Sequence, residues 1–208
     1  MSERRRRFYA GAASILALLM LLAVPSNAAA QQDYITEDEF DLVRDAQEIE
    51  RRVPVYLRLA EKRLVVLGLM EKSKDDRERE QKEIAKWEKE KKDAEKAKRT
   101  PPKPPVTEFA YLEDFSRSEL LRGYIQAIEE VMSNLDDAYS RKMDVREPLE
   151  KLEKFAGETR PLVENFQPAN QAERVAAEEA VEKAAEALDG AREALEIVPK
   201  TERKANPR

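Results

Sequence analysis

Cysteine and histidine are both missing from this 208-residue chain. Without cysteine there is no disulfide framework, no iron-sulfur cluster and no covalent c-type haem. Without histidine there is no Ser-His-Asp or Cys-His catalysis, and no Glu-x-x-His pattern of the kind that holds two irons in a helical bundle. Zinc sites built on either side chain are excluded with them. Carboxylate, hydroxyl, lysine and tyrosine chemistry remains, and no catalytic, cofactor-binding or metal-binding motif is spelled by it. Glycine is scarce, with five residues, and aromatics make up 6%. No strand-like alternation runs beyond a few residues, so stability has to come from helices that bury apolar surface.

The longest apolar run, Ala10 to Val24, is about fifteen residues, short of the roughly 20 that cross a bilayer. It follows Arg4, Arg5, Arg6 and Arg7 and is closed by Pro25; Ala28 and Ala30 then supply the small-residue pattern of a cleavage site. That order of basic, apolar and small residues is the order of a secretory leader, predicted here over residues 1–30 with cleavage after Ala30. An uncleaved N-terminal anchor is the alternative. Removal of the leader would leave 34 basic and 42 acidic residues, a net charge near −8. Such an acidic body argues against nucleic acid as a partner, because phosphate backbones are met by clustered basic faces.

What the chain has in abundance is alanine, glutamate, lysine, leucine and arginine, the composition of long helices. The fold class expected is all-α: an up-and-down antiparallel bundle of about four helices with a projecting, highly charged helical or disordered segment. A coiled-coil dimer is the alternative. Thr36 with Glu39 forms a capping box. The stripe that follows, from Phe40 through Val43, Val53, Leu57, Leu64 and Leu67, predicts a first bundle helix within residues 31–70, kinked near Pro54 because proline lacks the donor that Glu50 would need. Ser116 with Glu119 is a second box, ahead of a seam through Leu121, Ile125, Ile128, Met132, Leu135 and Tyr139. Asp144 with Glu147 is a third, ahead of a helix that Gly157 and Pro161 are expected to bend or interrupt. Asn170 with Glu173 opens the last helix, whose seam is rich in alanine from Ala177 to Val198. The segment 108–198 thus holds the remaining bundle helices, and 199–208 reads as a frayed, disordered tail.

Residues 71–107 differ in kind. Of the 29 residues from Glu71 to Arg99, 22 are charged with signs that nearly cancel, so this stretch cannot face a core. Glu78–Lys82, Glu88–Lys92 and Glu95–Arg99 are spaced to pair along a solvated helix at about 0.3 kcal/mol each. Thr100 to Val106 carries four prolines and is expected to be an extended, stiff spacer.

Trp87, the only tryptophan, lies in this charged arm with Ile84 nearby. An exposed indole has a large apolar face and a polar tip, which makes the pair a candidate contact for a partner; the plainer use is packing on lysine stems. Glu129, Glu130, Asp136 and Asp137 form the densest acidic cluster, suited to a hard cation or to a glycosidase carboxylate pair, but as surface residues off the seam they read first as a solvated face. Arg51, Arg52, Arg58, Lys62 and Arg63 could meet anionic headgroups, though the interspersed Glu48, Glu50 and Glu61 favour ion pairing. Tyr56 and Tyr124 are expected at the core or its rim.

The function expected from these residues is that of an exported, non-enzymatic interaction, scaffold or chaperone-like module in the periplasm or outside the cell. It would need no cofactor. Its partner would be another protein or an envelope component, with membrane contact only through an uncleaved leader and self-association through the heptad-like seams. Two alternatives are an envelope-tethered protein and a carboxylate-dependent cell-wall enzyme.

Overall fold

A computed structural model of the chain describes residues 34–199. Among them the secondary structure is helical throughout, with no strand. The helices are α1 (Glu37–Asp45), α2 (Ile49–Val66), α3 (Lys74–Lys96), α4 (Arg117–Ser140), α5 (Arg146–Glu164) and α6 (Gln171–Ile197), and a 3-10 turn, Ala110–Leu112, precedes α4. The leader, with Ala28 and Ala30, and the tail from residue 200 lie outside the described residues.

Two capping boxes form as the sequence spells them. Thr36 Oγ1 accepts the Glu39 amide at 3.3 Å while Glu39 Oε2 accepts the Thr36 amide at 2.9 Å. Ser116 and Glu119 repeat the arrangement at the start of α4, and Asn170 takes the Glu173 amide at the start of α6. Each satisfies donors that a helix start otherwise leaves open. The third box does not form. Asp144 Oδ1 accepts the Arg146 amide, and Val145 becomes the N-cap residue of α5 without a side-chain bond. Val145 is buried, so an apolar side chain that packs inward takes the position a polar cap would hold.

The single kinked helix expected over residues 31–70 is instead two helices. The break falls at Ala46–Glu48, ahead of Pro54, which sits as the sixth residue of α2. So close to the start of a helix, the missing proline donor costs one bond and the ladder continues past it. Arg52 Nε donates to the Ala46 carbonyl at 2.9 Å and so caps an oxygen that α1 leaves free. The reason for the break is tertiary. Along one straight helix Glu39 and Arg63 would stand about 36 Å apart, yet their side chains meet at 2.7 Å. Only a chain that turns back on itself can bring them together.

α5 runs unbroken through Gly157 and Pro161. Pro161 lies in the last turn and Gly157 is exposed, so the carbonyl that loses its donor faces solvent and the helix need not bend.

Packing follows the apolar stripes. α2 lies against α4 and α5, and α6 lies against α4 and α5, while α4 and α5 barely touch each other. Four helices therefore share one core. Val53, Ala60 and Leu64 enter it from α2, Ile128 and Val131 from α4, Leu152 and Ala156 from α5. α6 contributes Ala176, Ala180, Ala184, Ala187 and Ala191, a row of small side chains that lets its backbone come close. On α4 the buried face is wider than the expected seam and rotated from it: Tyr124, Ala127, Val131 and Ala138 are buried, whereas Tyr139 is 54% exposed. The seam residues Leu121, Ile128 and Leu135 are buried within the single chain.

Tyr124 is wholly buried, and its hydroxyl lies 2.9 Å from Thr159 Oγ1, which itself donates to the Phe155 carbonyl. Burial pushes the phenol up to about 12, against a smaller opposite pull from Thr159, so the hydroxyl stays protonated. Tyr124→Phe removes one net hydrogen bond and keeps the ring. Its expected cost is about 1 kcal/mol in denaturant unfolding, with Thr159→Val together with Tyr124→Phe costing little more than either alone.

Candidate interaction surfaces

The arm is an ordered hairpin. α3 begins at Ser73, whose hydroxyl accepts the Asp76 amide, runs to Lys96, and ends in a turn where Lys98 takes a positive φ of 51° and the Arg99 amide bonds the Ala94 carbonyl. The proline segment then returns along it. The Trp87 indole donates to the Pro102 carbonyl at 3.0 Å, and Lys91 Nζ lies 5.2 Å from the centre of its ring. Trp87 is half-buried by this arrangement. It buckles the hairpin. Along α3 the pairs four residues apart are Lys74–Glu78 and Lys86–Glu90, in the opposite order to the expected glutamate-first pairs, and Asp76 pairs with Arg79 three residues on.

Trp87→Ala should release the return strand while leaving α3 in place. Trypsin, which does not cleave the Lys103–Pro104 bond, is then expected to cut after Arg99 several times faster than in the parent chain, with unchanged helical circular dichroism; an equal rate would show that the indole does not fasten the strand.

At its root the arm is tied to α2 by charge. Arg58 meets Asp76 at 2.5 Å and Glu61 at 2.8 Å, and Lys62 meets Glu108 at 2.9 Å. The centre of the Phe109 ring lies 5.7 Å from the Arg58 guanidinium and 5.2 Å from Lys72 Nζ, distances at which the electron-rich face of a ring attracts a cation. Burial pushes the Asp76 carboxyl upward, but hydrogen bonds from Arg58 and Ser73 and the nearby Arg58 charge outweigh it and hold the group below its usual range. Both strands of the hairpin are thus fixed to the same helix. Between them opens a cleft of ≈ 310 Å³ walled by Ile84, Pro105, Val106 and Phe109. Ile84 and Trp87 accordingly serve different places: Ile84, 41% exposed, lines the cleft, and Trp87 closes the hairpin beyond it.

The basic residues of α2 are spent mostly on structure. Arg63 is 1% exposed and forms the centre of the molecule's main polar node. Its guanidinium grips Glu39 with two parallel bonds, Nη1 to Oε1 at 2.9 Å and Nη2 to Oε2 at 2.7 Å, and also donates to the carbonyls of Tyr34 and Leu59. The Tyr111 hydroxyl donates to Glu39 Oε1 at 2.6 Å. Burial pushes the Glu39 carboxyl upward, but the bonds and charge of Arg63, with help from Tyr111 and the Thr36 amide, bring it below the ordinary range. Burial and the bond to Glu39 push the Tyr111 phenol well up. Gly123 on α4 gives the guanidinium its space: a β-carbon there would stand 2.1 Å from Arg63 Nε. Arg52 reaches Asn134, and Arg51 is exposed. Of the carboxylates expected to pair with this group only Glu61 does so; Glu39, Asp76 and Glu108 come from elsewhere in the chain. Sequence spacing gave no sign of them; the signal that could have pointed here is Gly123, a glycine inside a strongly helical stretch.

The acidic cluster on α4 is divided among different neighbours. Glu129 pairs with Lys183, Glu130 accepts from the Tyr56 hydroxyl, and Asp137 pairs with Arg141. Among the described residues no group of three or more acidic side chains is placed to hold a metal ion, and no helix is long and apolar enough to cross a membrane.

A second concave surface lies where α4 and α6 end and α5 begins. Leu135, Val145, Leu149 and Val198 floor a cleft of ≈ 200 Å³, with Tyr139 and the 73% exposed Ile197 on its edges. Arg146 holds this end together by donating to the Leu195 and Val198 carbonyls. The chain matches no family model, and no curated protein and no solved structure matches it.

Proposed function

We propose that this chain is an exported, non-enzymatic helical protein of the cell envelope that works by presenting surfaces to other macromolecules, as an interaction, scaffold or chaperone-like module. In this reading α2, α4, α5 and α6 stand as an up-and-down antiparallel four-helix bundle, and α3 with its proline return projects from one end as the reaching element. The observation that carries it is the arm itself: 23 helical residues bound to the rest by Arg58 and Lys62 at the root, with no packed helix partner along their length. A helix kept so polar and so firmly anchored is suited to holding a surface away from the body.

Support for a non-catalytic role comes from the use of the ionisable groups. Arg63, Glu39 and Tyr111 are bonded to one another, and Arg58 is paired with Asp76. They hold the chain's parts together. Export rests on Arg4 to Arg7, the apolar run and the Ala28 and Ala30 pattern.

The test replaces residues 82–104 with a short Gly-Ser linker, which leaves the root pairs of Arg58 and Lys62 intact, and compares crosslinked partners. Loss of partners is expected; an unchanged set would dismiss the arm as the reaching element. Intact mass of the exported product addresses the leader: a species beginning at Gln31 is expected, and a retained Met1 would replace it with the tethered form.

A further inference from the structure

We infer that the outer face of α3 is a docking surface for an anionic lipid surface. Lys82, Lys89, Lys92 and Lys96 are spaced by seven, three and four residues, so they fall within about 80° of one another around the helix and span about 21 Å of its length. All four are exposed, whereas Glu80, Trp87, Lys91 and Ala94, on the side the proline strand covers, are half-buried. The hairpin therefore turns its lysine stripe outward. Among the described residues none of the four is engaged by a carboxylate, although Asp93 lies at the edge of the stripe; the neighbouring Lys86 is drawn to Glu90.

Charge is also segregated along the chain. Residues 82–103 hold nine basic and five acidic side chains, a net +4, in a molecule whose total is −5. An anionic surface would repel the body and attract the arm. The chemistry of the stripe selects a lipid surface over nucleic acid. It offers ammonium point charges with only Ala85 between Lys82 and Lys89 on that face, suited to a diffuse sheet of headgroups. It has no exposed aromatic for base stacking, since Trp87 is turned inward onto Pro102, and stacking is a main source of affinity for single strands. No apolar side chain larger than that of Ala85 lies on the stripe, so the arm would rest on the headgroups without inserting.

This inference rests on the reading of the arm as the reaching element and adds the chemistry of what it reaches. The experiment is vesicle sedimentation of the full chain and of its Lys82→Gln/Lys89→Gln/Lys92→Gln/Lys96→Gln variant, with vesicles of neutral phosphatidylcholine and vesicles containing about one third phosphatidylglycerol. Any contribution of Arg4 to Arg7 is common to both proteins, so the ratio between them is the readout. Removing the four lysines is expected to weaken binding to anionic vesicles by about fivefold per lysine, and by on the order of 600-fold together, with no change on neutral vesicles. The difference should shrink as salt rises from 0.05 to 0.3 M, because the screening length falls. Glutamine is helix-compatible, so circular dichroism should stay unchanged. Equal binding by the two proteins would overturn the inference. So would a stripe-dependent affinity for a short oligonucleotide that exceeds the affinity for anionic vesicles. If the lysine variant binds vesicles like the parent while removal of the arm still abolishes crosslinked partners, the lipid assignment fails and the arm's role stands; if removal of the arm changes no partner, the wider reading fails by itself.

Discussion

Gly123→Ala is expected to lower the unfolding free energy by about 3 kcal/mol, even though the same exchange in an unhindered helix interior gains about 1 kcal/mol. The opposition of sign makes the test decisive. The new β-carbon would stand 2.1 Å from Arg63 Nε and 2.8 Å from its Cδ, contacts that real structures do not tolerate. Arg63 cannot swing aside cheaply, because its guanidinium is held by Glu39 and by the carbonyls of Leu59 and Tyr34. Overpacking of this kind costs about 1–3 kcal/mol, and displacement of a buried, paired charge adds to it. In an Arg63→Ala background the obstructing atoms are gone, so Gly123→Ala should there be neutral or slightly stabilising. Equal penalties in both backgrounds, measured by urea unfolding, would mean that Gly123 is required for some reason other than the guanidinium.

The second large effect concerns the pair itself. Arg63→Met is expected to cost about 3–5 kcal/mol, because it leaves the Glu39 carboxylate buried with only Tyr111 and the Thr36 amide to solvate it. Arg63→Met combined with Glu39→Gln should recover a substantial part of that loss, since a neutral amide tolerates the site better than an uncompensated charge. If the double variant is no more stable than Arg63→Met, the cost lies in lost packing of the arginine stem. The pH dependence has a definite sign. A carboxyl whose folded pKa lies below its unfolded value gives stability that is fully present above the unfolded value and is lost as pH falls through the folded one. Glu39 and Asp76 are both lowered, from ordinary values of 4.5 and 3.8, so the parent protein should lose stability as pH drops below about 4.5. Glu39→Gln should flatten that decline. An unchanged slope would assign the acid sensitivity to Asp76 and the arm root.

Both predictions concern residues that spacing along the chain did not connect. Periodicity and capping located the start of α4 and α6 and the charged character of α3, because those features depend on neighbours within a few residues. The box at Asp144 did not form because burial of Val145, a contact across the core, decided where α5 begins. The exposed end of the α4 seam at Tyr139 has the same origin: heptad spacing identifies a stripe, but the neighbouring helices decide how wide it is and how it is turned. Trp87 stood out as a candidate contact by its rarity in a charged stretch. Its engagement with Pro102, fifteen residues away, follows from the return path of the chain.

By itself the sequence determined that this protein is helical, that its helices begin at Thr36, Ser116 and Asn170, that it has no disulfide to rely on, and that residues 71–99 could not join a core. These are local or compositional properties, and short-range hydrogen bonds and solvation free energies suffice to set them. Tertiary structure alone decided that the chain breaks before Pro54, that Glu39 meets Arg63 under Tyr111 in the space left by Gly123, and that Asp76 and Glu108 moor the arm to α2. Each of these joins charges or shapes far apart in the chain. Their worth comes from the removal of water around them, which no segment achieves until the others have closed over it.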